Sequence, residues 1–135
     1  MNAEITMIYS EEISGLSNYI RIPQKPEKVL WEKYHLNSYF NEEGVVAVLS
    51  FDDESIKEIT NLAIELPFEA NSIPSHVLKS WIPKDLQKLF IYNEKEDVYK
   101  LEVPVYSLEG FSKPPYQNGF MFFHEGNWFI YVYSI

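Results

Sequence analysis

Three histidines, His35, His76 and His124, are the imidazoles this chain offers for general acid–base work or metal binding. Only His124 has a carboxylate next to it in sequence, in the dipeptide His124-Glu125. A helical zinc-protease motif needs a second histidine four residues on, and here that position is Trp128. The dipeptide also falls at a predicted turn, so no metal site is expected from it. The densest carboxylate group is Asp52-Asp53-Glu54 with Glu58. Oxygen ligands of this kind suit a hard cation, but the spaced acids, glycine and terminal Glu of a calcium loop are missing. A helix N-terminus gathers acids for electrostatic reasons alone. Ser75 precedes His76, yet adjacency in sequence does not bring a hydroxyl onto an imidazole, and no Gly-x-Ser-x-Gly elbow occurs. Glycoside hydrolysis needs two acids across a cleft, and 20 acids offer no way to single out a pair. The five glycines form no cluster, which excludes phosphate-cradling and dinucleotide loops. Cysteine is absent, which removes thiolate nucleophiles, thiolate metal sites and disulfides. No catalytic, cofactor-binding or metal residue is assigned, no cofactor is expected, and the chain is not expected to be an enzyme.

The aromatic residues are the remaining candidates. Phe, Trp and Tyr make up 16% of the chain, with ten tyrosines. Large rings with a polar tip suit protein interfaces and also line ligand pockets. Candidate interface or pocket residues are Trp31, Trp81, Tyr99, Tyr106, Phe122, Trp128, Tyr131 and Tyr133. The plainer reading is that these rings fill and flank a small sheet.

Charge narrows the partners. The net charge is −9, from 20 acids against 11 bases, and the one arginine is Arg21. Phosphate backbones are bound by clustered Lys and Arg, so nucleic acid and anionic membranes are poor partners. An acidic surface suits a basic protein, because complementary charge speeds encounter and selects partners. The same charge also keeps a small domain soluble. No run of about 20 apolar residues could span a bilayer. The start, Met-Asn-Ala-Glu, lacks the basic region of a signal peptide. The expected location is cytoplasmic.

The elements that must position these residues can be read along the chain. At 135 residues, a single α+β domain over 1–135 is expected. Ile5–Tyr9 reads as a short strand, and Glu11–Ile20 as loop or one helical turn. Arg21–Glu27, with two prolines, is an extended connector. Lys28–His35 alternates as a strand, with Val29, Trp31 and Lys33 on one side and Leu30, Glu32 and Tyr34 on the other. Asn37–Glu43 is turn-like. Gly44–Phe51 is an unbroken apolar run, the mark of a strand buried on both faces. Asp52 or Asp53 caps a helix whose stripe is Ile56, Ile59, Ala63 and Leu66, stopped by Pro67. Pro74–Trp81 reads as a second helix and Lys84–Phe90 as a further helical turn. Val98–Tyr106 alternates as a half-buried strand with Pro104 at an edge or bulge. Gly110–Asn118 is a loop. Gly119–His124 and Asn127–Ser134 form a closing hairpin through Glu125-Gly126, where glycine supplies the positive φ of a tight turn. That hairpin is apolar on both faces, so a central place in a sheet is expected.

The fold expected is a mainly antiparallel sheet with two or three helices from the middle of the chain on one face, closed by the aromatic hairpin. Small, acidic, cysteine-free α+β domains of this kind resemble bacterial immunity proteins. The resemblance implies a non-enzymatic module that covers the active site of a basic partner. The rival is a small-molecule domain with a pocket between the sheet and the Asp53–Leu66 helix, lined by Trp31, Trp81, Phe122 and Trp128. A homodimer through a sheet edge, at Tyr99–Tyr106 or on the final strand, is a third expectation.

Overall fold

A computed structural model of the chain describes residues 13–35, 43–66, 72–78 and 80–134. The expected strand at Ile5–Tyr9, the turn from Asn37 and the stop at Pro67 lie outside the described residues, as does the side chain of His35. The described chain runs α1 (Ile13–Leu16), β1 (Lys28–His35), β2 (Glu43–Ser50), α2 (Asp53–Leu62), β3 (Ser72–Pro74), a 3-10 turn (Ser75–Val77), α3 (Lys84–Gln87), β4 (Phe90–Asn93), β5 (Val98–Leu101), β6 (Asn118–His124) and β7 (Asn127–Ser134). No helix among these residues is long and apolar enough to cross a membrane.

The main sheet is antiparallel, with strand order β1-β2-β7-β6. Its centre is the pair β2–β7, in register from Glu43 opposite Ser134 to Ser50 opposite Asn127. Alternation sends Val45, Ala47, Leu49, Trp128, Ile130 and Val132 to one face and Val46, Val48, Phe129 and Tyr131 to the other. Both sets are buried, so each face carries its own core. Gly44 fits because a Cβ there would run into the Val132 carbonyl oxygen across the ladder. The β6–β7 turn places Glu125 (φ 46) and then Gly126 (φ 82) in the left-handed region, the conformation of a two-residue hairpin turn.

One face is covered by α1, α2 and the segment 108–116, through Leu16, Ile20, Ile59, Leu108 and Phe111. The other is covered by a second antiparallel sheet, order β3-β5-β4, with the 3-10 turn and α3, through Ile73, Val77, Leu86, Phe90 and Leu101. The molecule is therefore sheet-dominated α+β, but its helices do not share a face as expected. The reason is the apolarity of β2 and β7 on both sides, which requires cover on both.

Three further expectations are corrected. The helix that starts at Asp53 ends at Leu62, with Ala63 extended, and does not continue to Leu66. Ala63 packs into the first core and Leu66 into the second, so the chain must pass round the sheet edge between them. There Leu66 N–H donates to the Val105 carbonyl (2.8 Å) and Ser107 N–H to the Ile64 carbonyl (2.7 Å), pairing that helical hydrogen bonding would forbid. Pro74 ends β3 and leads into a 3-10 turn of only Ser75–Val77, in place of the expected helix to Trp81; Ile73 is buried opposite Tyr99 of β5, which draws Pro74 into the strand. The strand from Val98 stops at Leu101, ahead of Pro104, and Tyr106 pairs separately with Met121 of β6 (2.7 and 3.1 Å).

The edges differ from expectation for the same reason. The final strand β7 is paired on both sides, and so is β5. Neither offers an open edge for a homodimer.

Buried rings carry the second core. Phe122 stacks on Phe129 at 4.8 Å and meets Phe90 edge-on at 5.8 Å. Phe122→Ala is expected to cost about 3–5 kcal/mol of stability. Ile91→Ala, at a site 50% exposed, should stay within about 0.5 kcal/mol. Urea unfolding of both variants tests this, and equal costs would contradict a second core over that face.

Candidate functional site

The eight aromatic candidates do not form one surface. Trp31, Tyr106 and Trp128 belong to the core under α1 and α2, whereas Trp81, Tyr99, Phe122, Tyr131 and Tyr133 belong to the opposite one. The main sheet stands between the two groups. Phe122 and Trp128 have no exposure and Tyr131 has 3%, so these three are core and not lining. The Trp128 indole N–H is satisfied by the Met121 sulfur at 3.1 Å. A single pocket lined by Trp31, Trp81, Phe122 and Trp128 is therefore excluded. The remaining five are half-buried. Trp81 donates its indole N–H to a Glu32 carboxylate oxygen at 2.7 Å, fastening the loop before α3 to β1.

An open cleft lies elsewhere among the described residues, beside Arg21. It measures about 750 Å³ and is lined by Arg21, Leu66, Gln117, Asn118 and the 107–112 turn. A second hollow of about 330 Å³ shares Arg21, Glu109 and Gly110 and adds Pro23, Leu62 and Phe111. The connector reaches this place because Arg21 N–H donates to the Phe111 carbonyl at 2.5 Å. Among the described residues the Arg21 guanidinium makes no hydrogen bond or ion pair. Sequence composition pointed to Arg21 only as the sole arginine; the loop that lines its cleft has no motif.

Acidic side chains gather at the end of the main sheet that holds the β6–β7 turn. Phe51 N–H donates to the Gly126 carbonyl at 2.9 Å, which sets the start of α2 beside that turn. Asp52 caps α2, accepting from Ser55 N–H at 2.7 Å. Hydrogen bonds from Ser55 hold the Asp52 carboxyl below its ordinary range. Asp53 and Glu54 occupy the first turn, where the helix dipole favours them. Asp85 of α3 comes to the same turn from the other layer: its carboxylate, the His124 imidazole and the Glu125 carboxylate have ligand atoms within 4.8 Å of one another. Asp52, Asp53, Glu54, Asp85 and Glu125 are all exposed. No lysine or arginine pairs with any of them among the described residues.

His76 is exposed and has a different neighbourhood. Its ring lies 6.0 Å from Tyr34, edge-on. Asp97, on the β4–β5 turn, accepts the Tyr92 hydroxyl at 2.7 Å. That bond, a second one from Ser75 and the nearby His76 hold the Asp97 carboxyl below its ordinary range. The same bond raises the Tyr92 phenol above its own. His76 and His124 thus each have a carboxylate neighbour, but they sit in separate clusters.

No protein-family model matches the chain, and no curated protein or solved structure matches it significantly.

The Tyr92–Asp97 bond generates a pH prediction. Asp97 has a folded pKa below its unfolded one, so its contribution is complete above the unfolded value and is lost as pH falls through the folded value. Tyr92→Phe is expected to move the Asp97 carboxyl back up toward the ordinary aspartate range. An NMR carboxyl titration reads this directly, and an unmoved Asp97 would show that the phenol hydroxyl does not stabilise it.

Proposed function

We propose that the protein is a non-catalytic module that binds a basic protein partner, with the acidic end of the main sheet as its contact surface. The observation that carries this reading is the meeting of Asp52, Asp53, Glu54, Asp85 and Glu125, from both layers, without a cationic partner among the described residues. Unpaired like charges repel one another, and a partner bearing Lys and Arg relieves that repulsion as it docks. An inhibitor that covers a basic active site would use such a surface. The net charge of −9 speeds the encounter. A cytoplasmic setting fits the cysteine-free composition.

The test compares affinity capture by the native chain with capture by a variant carrying Asp52→Asn, Asp53→Asn, Glu54→Gln, Asp85→Asn and Glu125→Gln. A control neutralises Glu94, Glu96 and Asp97, which lie on the β4–β5 turn. A basic protein is expected to bind the native chain and the control, to leave at high salt, and to be lost from the five-site variant. Equal capture by all three chains, or none by the native chain, would overturn the proposal.

A second reading, a small-molecule domain, is supported by the cleft at Arg21. Its cationic and polar lining suits a small anion and not the apolar ligand an aromatic pocket would take. Native mass spectrometry of the gently purified chain should then show a bound mass that Arg21→Ala loses. A chain carrying no added mass would remove this reading.

A further inference from the structure

We propose that Asp85, His124 and Glu125 form a binding site for a divalent transition-metal ion, with zinc the best fit. Among the described residues this is the one place where three potential metal-ligating side chains converge, with donor atoms within 4.8 Å of one another. The sequence contained the His124-Glu125 half of the set; the fold supplies the third ligand from α3, far away along the chain.

The donor set is one imidazole nitrogen and two carboxylate oxygens. Calcium and magnesium prefer all-oxygen shells, so the imidazole selects for zinc and its neighbours in the first transition row. Three protein ligands leave a fourth zinc position for water or for a group from another molecule. Zinc bonds of about 2.0–2.1 Å place tetrahedral ligands roughly 3.3 Å apart. The His124 Nε2 to Glu125 Oε2 separation is 3.8 Å, so side-chain rotation of about half an ångström closes that pair.

The backbone holds two of the ligands in place before any ion arrives. Asp85 precedes Leu86, which is fully buried and whose N–H bonds the Pro83 carbonyl at 3.0 Å. His124 closes β6, opposite Asn127. Glu125 has 75% side-chain exposure and is the arm free to swing. No lysine or arginine among the described residues competes for either carboxylate. The surrounding negative charge, including Asp52–Glu54, attracts a cation. An ion held here would tie the hairpin turn to α3, joining the main sheet to the layer that covers its second face. Since it would bind the folded chain and not the unfolded one, binding would raise the melting temperature.

The site shares Asp85 and Glu125 with the proposed contact surface, so its test uses the chain alone and reads metal binding without any protein partner. Zinc is titrated into the full, tag-free chain by isothermal calorimetry, and cobalt is substituted to give a visible spectrum. One ion per chain is expected, with the melting temperature rising as zinc is added. His124→Gln and Asp85→Asn should each weaken binding at least about tenfold, the scale on which metal affinity responds even to loss of a supporting residue. His76→Gln should leave binding unchanged. Asp85 and His76 are exposed and His124 is half-buried, and circular dichroism of each variant verifies that it folds. Absence of saturable binding, binding indifferent to His124→Gln or Asp85→Asn, or binding lost with His76→Gln would each overturn the site.

Discussion

The pairing of β2 with β7 is the constraint from which the rest of the structure follows. Each strand is apolar on both faces, and they lie side by side over eight residue pairs. A sheet centre of this kind cannot have water on either side, because burying apolar surface is the main favourable term in folding. Two covers are needed, and the rest of the described chain supplies them. The helices α1 and α2 with the 108–116 segment form one; the sheet β3-β5-β4 with α3 forms the other. Even the early end of α2 follows from this, since the chain leaves the helix to cross from one cover to the other.

Committing both faces to packing leaves charged side chains to the periphery. Strand ends, turns and helix starts meet at one end of the main sheet, and these are the positions where charged residues are best tolerated. Asp52, Asp53 and Glu54 are there partly because a helix N-terminus favours negative charge. Helix electrostatics does not account for Glu125, which sits in a hairpin turn in a left-handed conformation that few side chains adopt. Nor does it require that Asp85 approach from the opposite layer.

Much of the main sheet was legible in the sequence. Lys28–His35 alternates, Gly44–Phe51 is continuously apolar, and Glu125-Gly126 marks a tight turn; each is a local signal and each element is present. The errors arose where distant residues decided. Leu66 has the right spacing for the helical stripe, but a partner near Val105 takes its N–H. Pro74 suits a helix start, but burial of Ile73 against β5 draws it into a strand. Of the eight aromatic candidates, three lie in the core. The closing hairpin is itself apolar on both faces, and that was the signal by which Phe122, Trp128 and Tyr131 could have been read as core. The approach of Asp85 to His124 and the cleft at Arg21 depend on layer packing, which no local pattern encodes.

The position of β7 also has a bearing on how the molecule is made. This strand follows in sequence every segment it organises, since β1, β2 and both covers precede it. During synthesis those segments leave the ribosome before the strand that joins them. Until it arrives, the apolar flank of β2 that it will occupy stands open, an exposed edge of the kind that invites aggregation. Native assembly of the main sheet must therefore wait for β7.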